Sequence, residues 1–359
     1  MTALTFQPIT PRPAPDRASG PVGWLRANLF SDWRTTVSTL IVGGVLLWYV
    51  PQLLRWALLQ AVWLPSADAC RAPGAGACWG VVAEKYRLII FGRYPYEEQW
   101  RPLIATGLMV AALVASCMRA FWRPWLALLW AVVLAAFFML MYGNVAGLSR
   151  VETDRWGGLP LTILLATLSI VLAFPINLVV ALGRRSSLPA IRTFCTIYVE
   201  LIRGVPLISV LFMASFMFPL FMPQGLTVDV LIRVLVGITL FAAAYLAEVV
   251  RGGLQAIPRG QYDAAHALAL PYWRRTWLII LPQALRISVP PLVNTFIALF
   301  KDTSLVLIIG LFDLLSTIKI SLTEPAWNGF GIEAYVFASL VYFAFCFAMS
   351  HYGKSFEQK

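Results

Sequence analysis

Charged and hydrogen-bonding side chains are scarce in this chain, which is 13% charged and 60% hydrophobic, so the few places where they gather are the places where chemistry can be done. Lys301, Asp302, Thr303 and Ser304 put a cation, an anion and two hydroxyls in consecutive positions between two apolar runs, and Asn294 stands seven residues before Lys301. Neighbouring donors and acceptors of both charges suit a zwitterion in transit, although polar residues at an ordinary helix end look the same. Glu200 with Arg203, and again Glu248 with Arg251, repeat an acid–base spacing of three at the edges of long apolar runs. A charge in or near hydrocarbon is costly unless paired or wet, which makes these residues functional candidates. The plain alternative is a pair on one helix face worth a few tenths of a kcal/mol. The two pairs can fix helices at a boundary, pack subunits together or form a gate.

Nothing in the chain reads as a catalytic or metal site. It has two histidines, His266 and His351, and no cluster of metal-ligand types, so neither a metal nor a cofactor is expected. The tail contains GKS at 353–355, but Ala348 stands where a phosphate loop needs its upstream glycine and no strand pattern precedes it. Of the five cysteines, Cys117, Cys195 and Cys346 fall in or beside apolar runs and read as small buried residues. Cys70 and Cys78 flank a Gly-rich loop, ACRAPGAGAC, and are either bridged or free.

Composition says what must hold these groups. The charged share is about half of the roughly 25% expected of a soluble domain, which excludes an ordinary soluble globule among the chain's 359 residues. Several apolar runs approach the ~20 residues that a helix needs to cross about 30 Å of hydrocarbon. They lie near 39–59, 103–118, 124–142, 159–182, 194–222, 228–250, 287–299 and 334–350, giving an all-α, multispan membrane protein with about eight crossings. A ninth run, 305–318, is short and contains Asp313, so it reads as partly inserted or pore-lining. Pro175 and Asn177 interrupt the fourth span and Pro290 and Pro291 the seventh, as either pathway-lining breaks or simple kinks.

Lysine and arginine collect at cytoplasmic helix ends. Arg12, Arg17, Arg26 and Arg34 precede the first span, Arg119 and Arg123 follow the second, and Arg184, Arg185 and Arg192 follow the fourth. Arg251, Arg259, Arg274, Arg275 and Arg286 lie in the loop after the sixth span, and Lys354 and Lys359 close the chain. All fall inside if both termini are cytoplasmic. The net charge of +11 is thus a topology signal; a nucleic-acid footprint would need a continuous basic face, and no nucleic acid is expected. Residues 1–35 read as a Pro-rich cytoplasmic tail without a cleavable leader. Residues 36–156 hold three spans and an outer loop, 61–101, whose Trp79, Tyr86, Tyr94, Tyr96 and Trp100 are either an interfacial belt or contacts to an outer partner.

The stretch RGGLQAIPRGQYDAAHALALPYWRRTWLIILPQALRI, 251–287, is too long and too periodic for an ordinary loop. Pro258 and Gly260 delimit a short helix, Asp263 is expected near its positive end, and Ala264, Ala265, Ala267 and Ala269 present small side chains to a close neighbour. Pro271 and Pro282 are expected to break the chain beyond that helix. An amphipathic helix lying on the inner leaflet is the competing reading. The stretch resembles the EAA coupling loop of permease subunits in binding-protein-dependent ABC importers. Gly260, Asp263, Ala264, Ala265, Ala269, Ile279, Leu281 and Pro282 carry the match, with Asp263 and Ala269 standing where the family usually has Glu and Gly. The blocks GGLPLTILLATLSIVLAFPI, YVELIRGVPLISVLF and IILPQALRISVPPLVNTFIALFKDTSLV extend the resemblance over about the last 200 residues, to polar and general L-amino acid permeases.

The resemblance implies a type I ABC importer permease fold in the bacterial inner membrane, with a five-helix core at 157–352 and a cytoplasmic coupling loop at 251–283. It also implies an ABC ATPase dimer, a second homologous permease and a periplasmic amino acid-binding protein as partners in the bilayer. This chain would have no ATPase site of its own. Two other classes compete. A secondary amino acid transporter would show inverted repeats and run on an ion gradient, and a non-transporting scaffold would tolerate replacement of Lys301–Ser304.

Overall fold

The computed structural model describes residues 20–145, 147–225 and 227–357; most of the Pro-rich tail, with Arg12, Arg17 and Lys359, lies outside them. Among the described residues seven helices are long and apolar enough to cross a membrane, or eight if one bent pair is counted as a span. The chain divides into two compact units, 1–79 and 80–359.

In the first unit α1 (Pro21–Leu29) forms within the stretch expected to be a tail, because Pro21 sits at the first helical position, where its missing N–H costs nothing. The first span, α2 (Trp33–Leu54), opens with a capping box between Asp32 and Thr35 and ends in a π turn, Arg55–Leu59. None of its residues is buried within the unit. Beyond the short α3 (Ala67–Cys70), Cys70 is disulfide-bonded to Cys78, with Cα atoms 5.4 Å apart. Trp79 stacks on Trp63 and donates its indole N–H to the Ala57 carbonyl at 2.8 Å, so it packs within its own unit. Closing so short a loop is worth roughly 2–3 kcal/mol against the open chain. Trypsin cleavage after the exposed Arg71 is therefore expected to accelerate when the bond is reduced, read by mass spectrometry; equal rates in both redox states would refute it.

The second unit is a helical bundle built on α7 (Gly158–Gly183) and α10 (Val230–Gln255). Ala242, Ala243, Ala244 and Ala247 are fully buried in α10, and such small residues let helix backbones approach closely. α5 (Trp100–Cys117) and α6 (Trp125–Tyr142) join the same core through Ala105, Met109 and Phe137. The boundary at 156–157 is therefore a change of motif content and not a break in packing. α4 (Gly80–Phe91) meets the start of α7, where Gly158 has φ +65° and any Cβ would overlap the Ile90 carbonyl oxygen. Tyr94 is buried and donates to the Leu140 and Met141 carbonyls at the end of α6. Burial pushes its phenol up to about 12, keeping it a donor. The fully buried Arg101 also donates to the Leu140 carbonyl, at 2.6 Å, and its charge suits a helix C-terminus.

Two expectations are corrected. The run 194–222 is not one straight helix: α8 (Pro189–Gly204) and the segment Leu207–Phe221, which begins with α9 (Leu207–Phe212), meet at 104°. Pro206 denies the helix an N–H and drives Val205 to an extended backbone, φ −108° and ψ 135°. The run 305–318, expected to be partly inserted or pore-lining, breaks into a 3-10 segment Thr303–Ile309, a two-residue strand β1 (Phe312–Asp313) and the start of α14 (Ser316–Ser321). Finally, prolines do not interrupt the fourth or seventh span. α12 (Tyr272–Arg275), a π turn at Thr276–Ile280 and α13 (Leu281–Asp302) run as one helix through Pro282, Pro290 and Pro291, and α7 continues through Pro175. The π turn lets the ladder change register beside Pro282, near the start of α13. The last span, α15 (Gly331–Glu357), packs along α13.

Candidate functional site

Between α10 and α12 the chain folds into α11 (Arg259–Ala267), with the extended Pro258 as its N-cap. Asp263 does not lie in the first turn and makes no cap; that expectation fails because the helix begins at Arg259. Of the small residues, Ala265 is 1% exposed and faces its own chain, whereas Gly260, Asp263, Ala264, Ala267 and Ala269 are open to an outside body. Ala265 thus seats the helix and does not offer docking surface. Ile279 and Leu281 back the helix from the π turn and the start of α13, with Leu281 buried, while Pro282 is exposed. Large apolar side chains, among them Leu268 at 72% exposure, Trp273 and Leu278, flank the knob.

The end of α11 explains one departure from the resemblance. Leu270 N–H bonds the Ala265 carbonyl and Ala269 N–H the His266 carbonyl, the two bonds of a Schellman closure, which requires a left-handed residue at Ala269. Ala269 has φ +53°, uncommon for any residue with a Cβ. Ala269→Gly is expected to stabilise the unit by roughly 0.5–1 kcal/mol after allowing for glycine's larger unfolded entropy. A thermal melt in detergent checks this, and a lower midpoint would count against the strain.

Three sets of contacts anchor α11. Arg185, just past the end of α7, donates to the Leu254 carbonyl at 2.7 Å and to the Tyr262 hydroxyl at 3.0 Å. Gln283 of α13 donates to Gln261 at 3.1 Å. Arg275 and His266 side chains also meet. With the Tyr262 hydroxyl also donating to the Leu254 carbonyl at 3.4 Å, the knob is held to three helices, α7, α10 and α13.

The paired charges form one cluster in which Glu248 meets three arginines and Arg184, which in sequence carries no sign of that role, bridges two carboxylates. Glu200 pairs with Arg184 at 2.8 Å, not with Arg203, and Arg184 also holds Glu248 at 2.5 Å. Glu248 is shared with Arg251, its neighbour one turn on, and with Arg203 at 3.8 Å. Arg184 is 11% exposed and Glu200 60%, so the Glu248 contact carries more of the energy than the screened Glu200 one. Arginine at the C-terminal end of α7 also complements the helix dipole. In sequence Arg184 and Arg185 look like topology signals alone, because their partners lie 64 and 77 residues away.

The polar run at 301–304 sits where α13 passes into the 3-10 segment. Thr303 is buried and donates to the Phe300 carbonyl at 2.8 Å, Asp302 and Ser304 are half-buried, and Lys301 is exposed. Asn294, Ala298 and Lys301 share one face of α13, since positions i, i+4 and i+7 align on a helix. The candidates thus separate into a polar helix face and, apart from it along α10 and α13, the charge cluster and knob. Asp313 is the polar residue whose surroundings differ most from a sequence reading. Its carboxylate is fully buried, accepts from Leu315 N–H at 3.2 Å, Ser316 N–H at 2.9 Å and Tyr342 hydroxyl at 2.8 Å, and also from the Ser316 hydroxyl. Beside it, Leu314 N–H donates to Thr162 of α7. Among the described residues no group of acidic, histidine or cysteine side chains could hold a metal ion.

Residues 173–359 match the family described as binding-protein-dependent transport system inner membrane component. An inner membrane amino-acid ABC transporter permease protein, YhdY of Escherichia coli (strain K12), is 49% identical over 97% of this chain and 95% of its own. The glutamate/glutamine/aspartate/asparagine transport system permease protein BztC of Rhodobacter capsulatus is 35% identical over 98% of this chain and 96% of its own. A crystal structure of an amino acid ABC transporter with histidines matches at 28% identity and a TM-score of 0.49, covering 55% of this chain and 89% of that one. With half of its length in the family match and nearly all of it in full-length relatives, this multispan helical chain belongs to the inner-membrane permease components of binding-protein-dependent transport systems.

Proposed function

We propose that the chain is one permease subunit of an ATP-driven importer that moves L-amino acids across the bacterial inner membrane. The observation that carries the proposal is the knob α11, held to α7, α10 and α13 while Gly260, Ala264 and Ala267 stay open. An element so anchored on one side and so bare on the other fits insertion into a separate ATPase, whose closure would push on three spans at once. The substrate class is supported by relatives named for amino acid transport. In this reading both termini are cytoplasmic, residues 251–283 couple to an ATPase pair, and Asn294 and Lys301–Ser304 line part of the path. A second homologous permease completes the pore, and a periplasmic binding protein delivers substrate. Glu200 and Glu248, joined by Arg184, form the inner boundary of the gate together with Arg203 and Arg251, which pair with Glu248.

Purification from native membrane in mild detergent, followed by uptake of radiolabelled L-amino acids in reconstituted vesicles, tests this. The expected result is co-purification of an ATPase and a second permease, with uptake that requires ATP. A chain that purifies alone and moves amino acids on an ion gradient would overturn the proposal in favour of a secondary transporter.

A further inference from the structure

We infer that the consecutive arginines at the end of α7 are a relay between the coupling knob and the charge cluster, an inference that rests on reading α11 as the ATPase-docking element. The two side chains leave adjacent backbone positions, about 3.8 Å apart at Cα, and divide their partners completely. Arg185 takes the knob: its guanidinium bonds the Tyr262 hydroxyl at 3.0 Å, lies 5.5 Å from the Tyr262 ring, and bonds the Leu254 carbonyl at 2.7 Å. Arg184 takes the cluster, holding Glu200 of α8 at 2.8 Å and Glu248 of α10 at 2.5 Å.

The covalent chain already ties α11 to α10 through residues 256–258. What Arg185 adds is a tie to α7, which has no covalent link to the knob. A planar guanidinium bonding two acceptors on different elements fixes direction as well as distance. The Leu254 carbonyl is one of the terminal acceptors that a helix leaves without an internal partner, and it accepts from Arg185 at 2.7 Å and from the Tyr262 hydroxyl at 3.4 Å. A shift of α11 must then carry the end of α7 with it. Arg184, one residue away, must either follow or release Glu200 and Glu248. Through Glu200 the shift reaches α8, which ends at the 104° bend of the fifth span. Arg184, Arg185 and Tyr262 are thus positioning residues: they act on the path through other groups.

The test uses the purified complex, with its ATPase and binding protein, in proteoliposomes supplied with a mixture of radiolabelled L-amino acids. Tyr262→Phe and Arg185→Gln are each expected to keep the ATPase bound and hydrolysing ATP. The substrate moved per ATP is expected to fall about tenfold, in the range of typical intersite couplings. Tyr262→Phe/Arg185→Gln is expected to be no worse than either change alone, and Arg184→Gln/Arg185→Gln no worse than the worse single change, because links in series fail once. Arg185→Lys, which keeps a donor within reach of the carbonyl, is expected to recover part of the ratio. Effects that multiply in the double variants, or an unchanged ratio, would overturn the relay. So would loss of the ATPase from Tyr262→Phe, which would make Tyr262 a docking residue. A wild-type complex without ATP-dependent uptake would instead remove the underlying reading of α11.

Discussion

Tryptophan in place of Ala264 is expected to leave the chain folded and to abolish ATP-dependent uptake, with the ATPase lost on purification. Ala264 is exposed on α11, next in sequence to the buried Ala265. A large ring there enters no packed space within this chain, so its thermal midpoint should move little. It would stand between the knob and any groove that receives it. Ala265→Phe is the contrasting variant. That site is 1% exposed, and forcing a ring into it should cost about 1–3 kcal/mol of overpacking, displacing the knob from its seat. Both variants lose uptake, but only the Ala265 variant melts early. Normal uptake by Ala264→Trp would rule out α11 as the docking element.

The largest loss of stability is expected from Asp313→Ala. The change removes acceptors from two backbone N–H groups, the Ser316 hydroxyl and the Tyr342 hydroxyl. These donors lie within the bundle, where water does not replace the lost partner. Counting the several donors left without a partner, the cost is about 3 kcal/mol. Asp313→Asn keeps one acceptor oxygen and can donate to Tyr342, so it should cost about a third as much. Unfolding can be followed by a thiol dye at the buried Cys195, in a Cys117→Ser/Cys346→Ser background because Cys117 is exposed and Cys346 half-buried. Equal midpoints for wild type and Asp313→Ala would show that the carboxylate is not the pin of this segment.

Apolar run lengths are enough to place all the spans, since each of the eight long runs corresponds to a helix or to the bent pair. A run length cannot report direction, so it hides the bend at Val205–Pro206, although the GVP sequence there is a local signal for it. The prolines at 282, 290 and 291 mislead in the other direction. A propensity for breaking helices is local, and tertiary packing along α10 and α15 holds α13 straight enough to continue. The knob is legible because its small residues and flanking prolines are contiguous. Which of its alanines faces inward is not, because that depends on where α7 and α13 pack. Likewise Glu248 and Arg251 can be paired by their spacing, but Arg184 cannot be joined to Glu200 and Glu248 without the fold. Burial of Asp313 is hidden for the same reason: its partners include Tyr342, 29 residues on.

The bent fifth span bears on how the chain enters the membrane during synthesis. Its limbs, Pro189–Gly204 and Leu207–Phe221, are about 24 and 22 Å long at 1.5 Å per residue, each short of the roughly 30 Å hydrocarbon layer. The first limb also carries Arg192, Glu200 and Arg203, and a single such charge near the centre of a nascent helix disfavours insertion by about 3 kcal/mol. A translocon sampling this segment alone has little reason to release it into lipid. Arg184 precedes this segment, but Glu248, which completes the neutralising set, lies on the next span and emerges after it. Stable integration of the fifth span is therefore expected to wait for the sixth, the two entering as a hairpin.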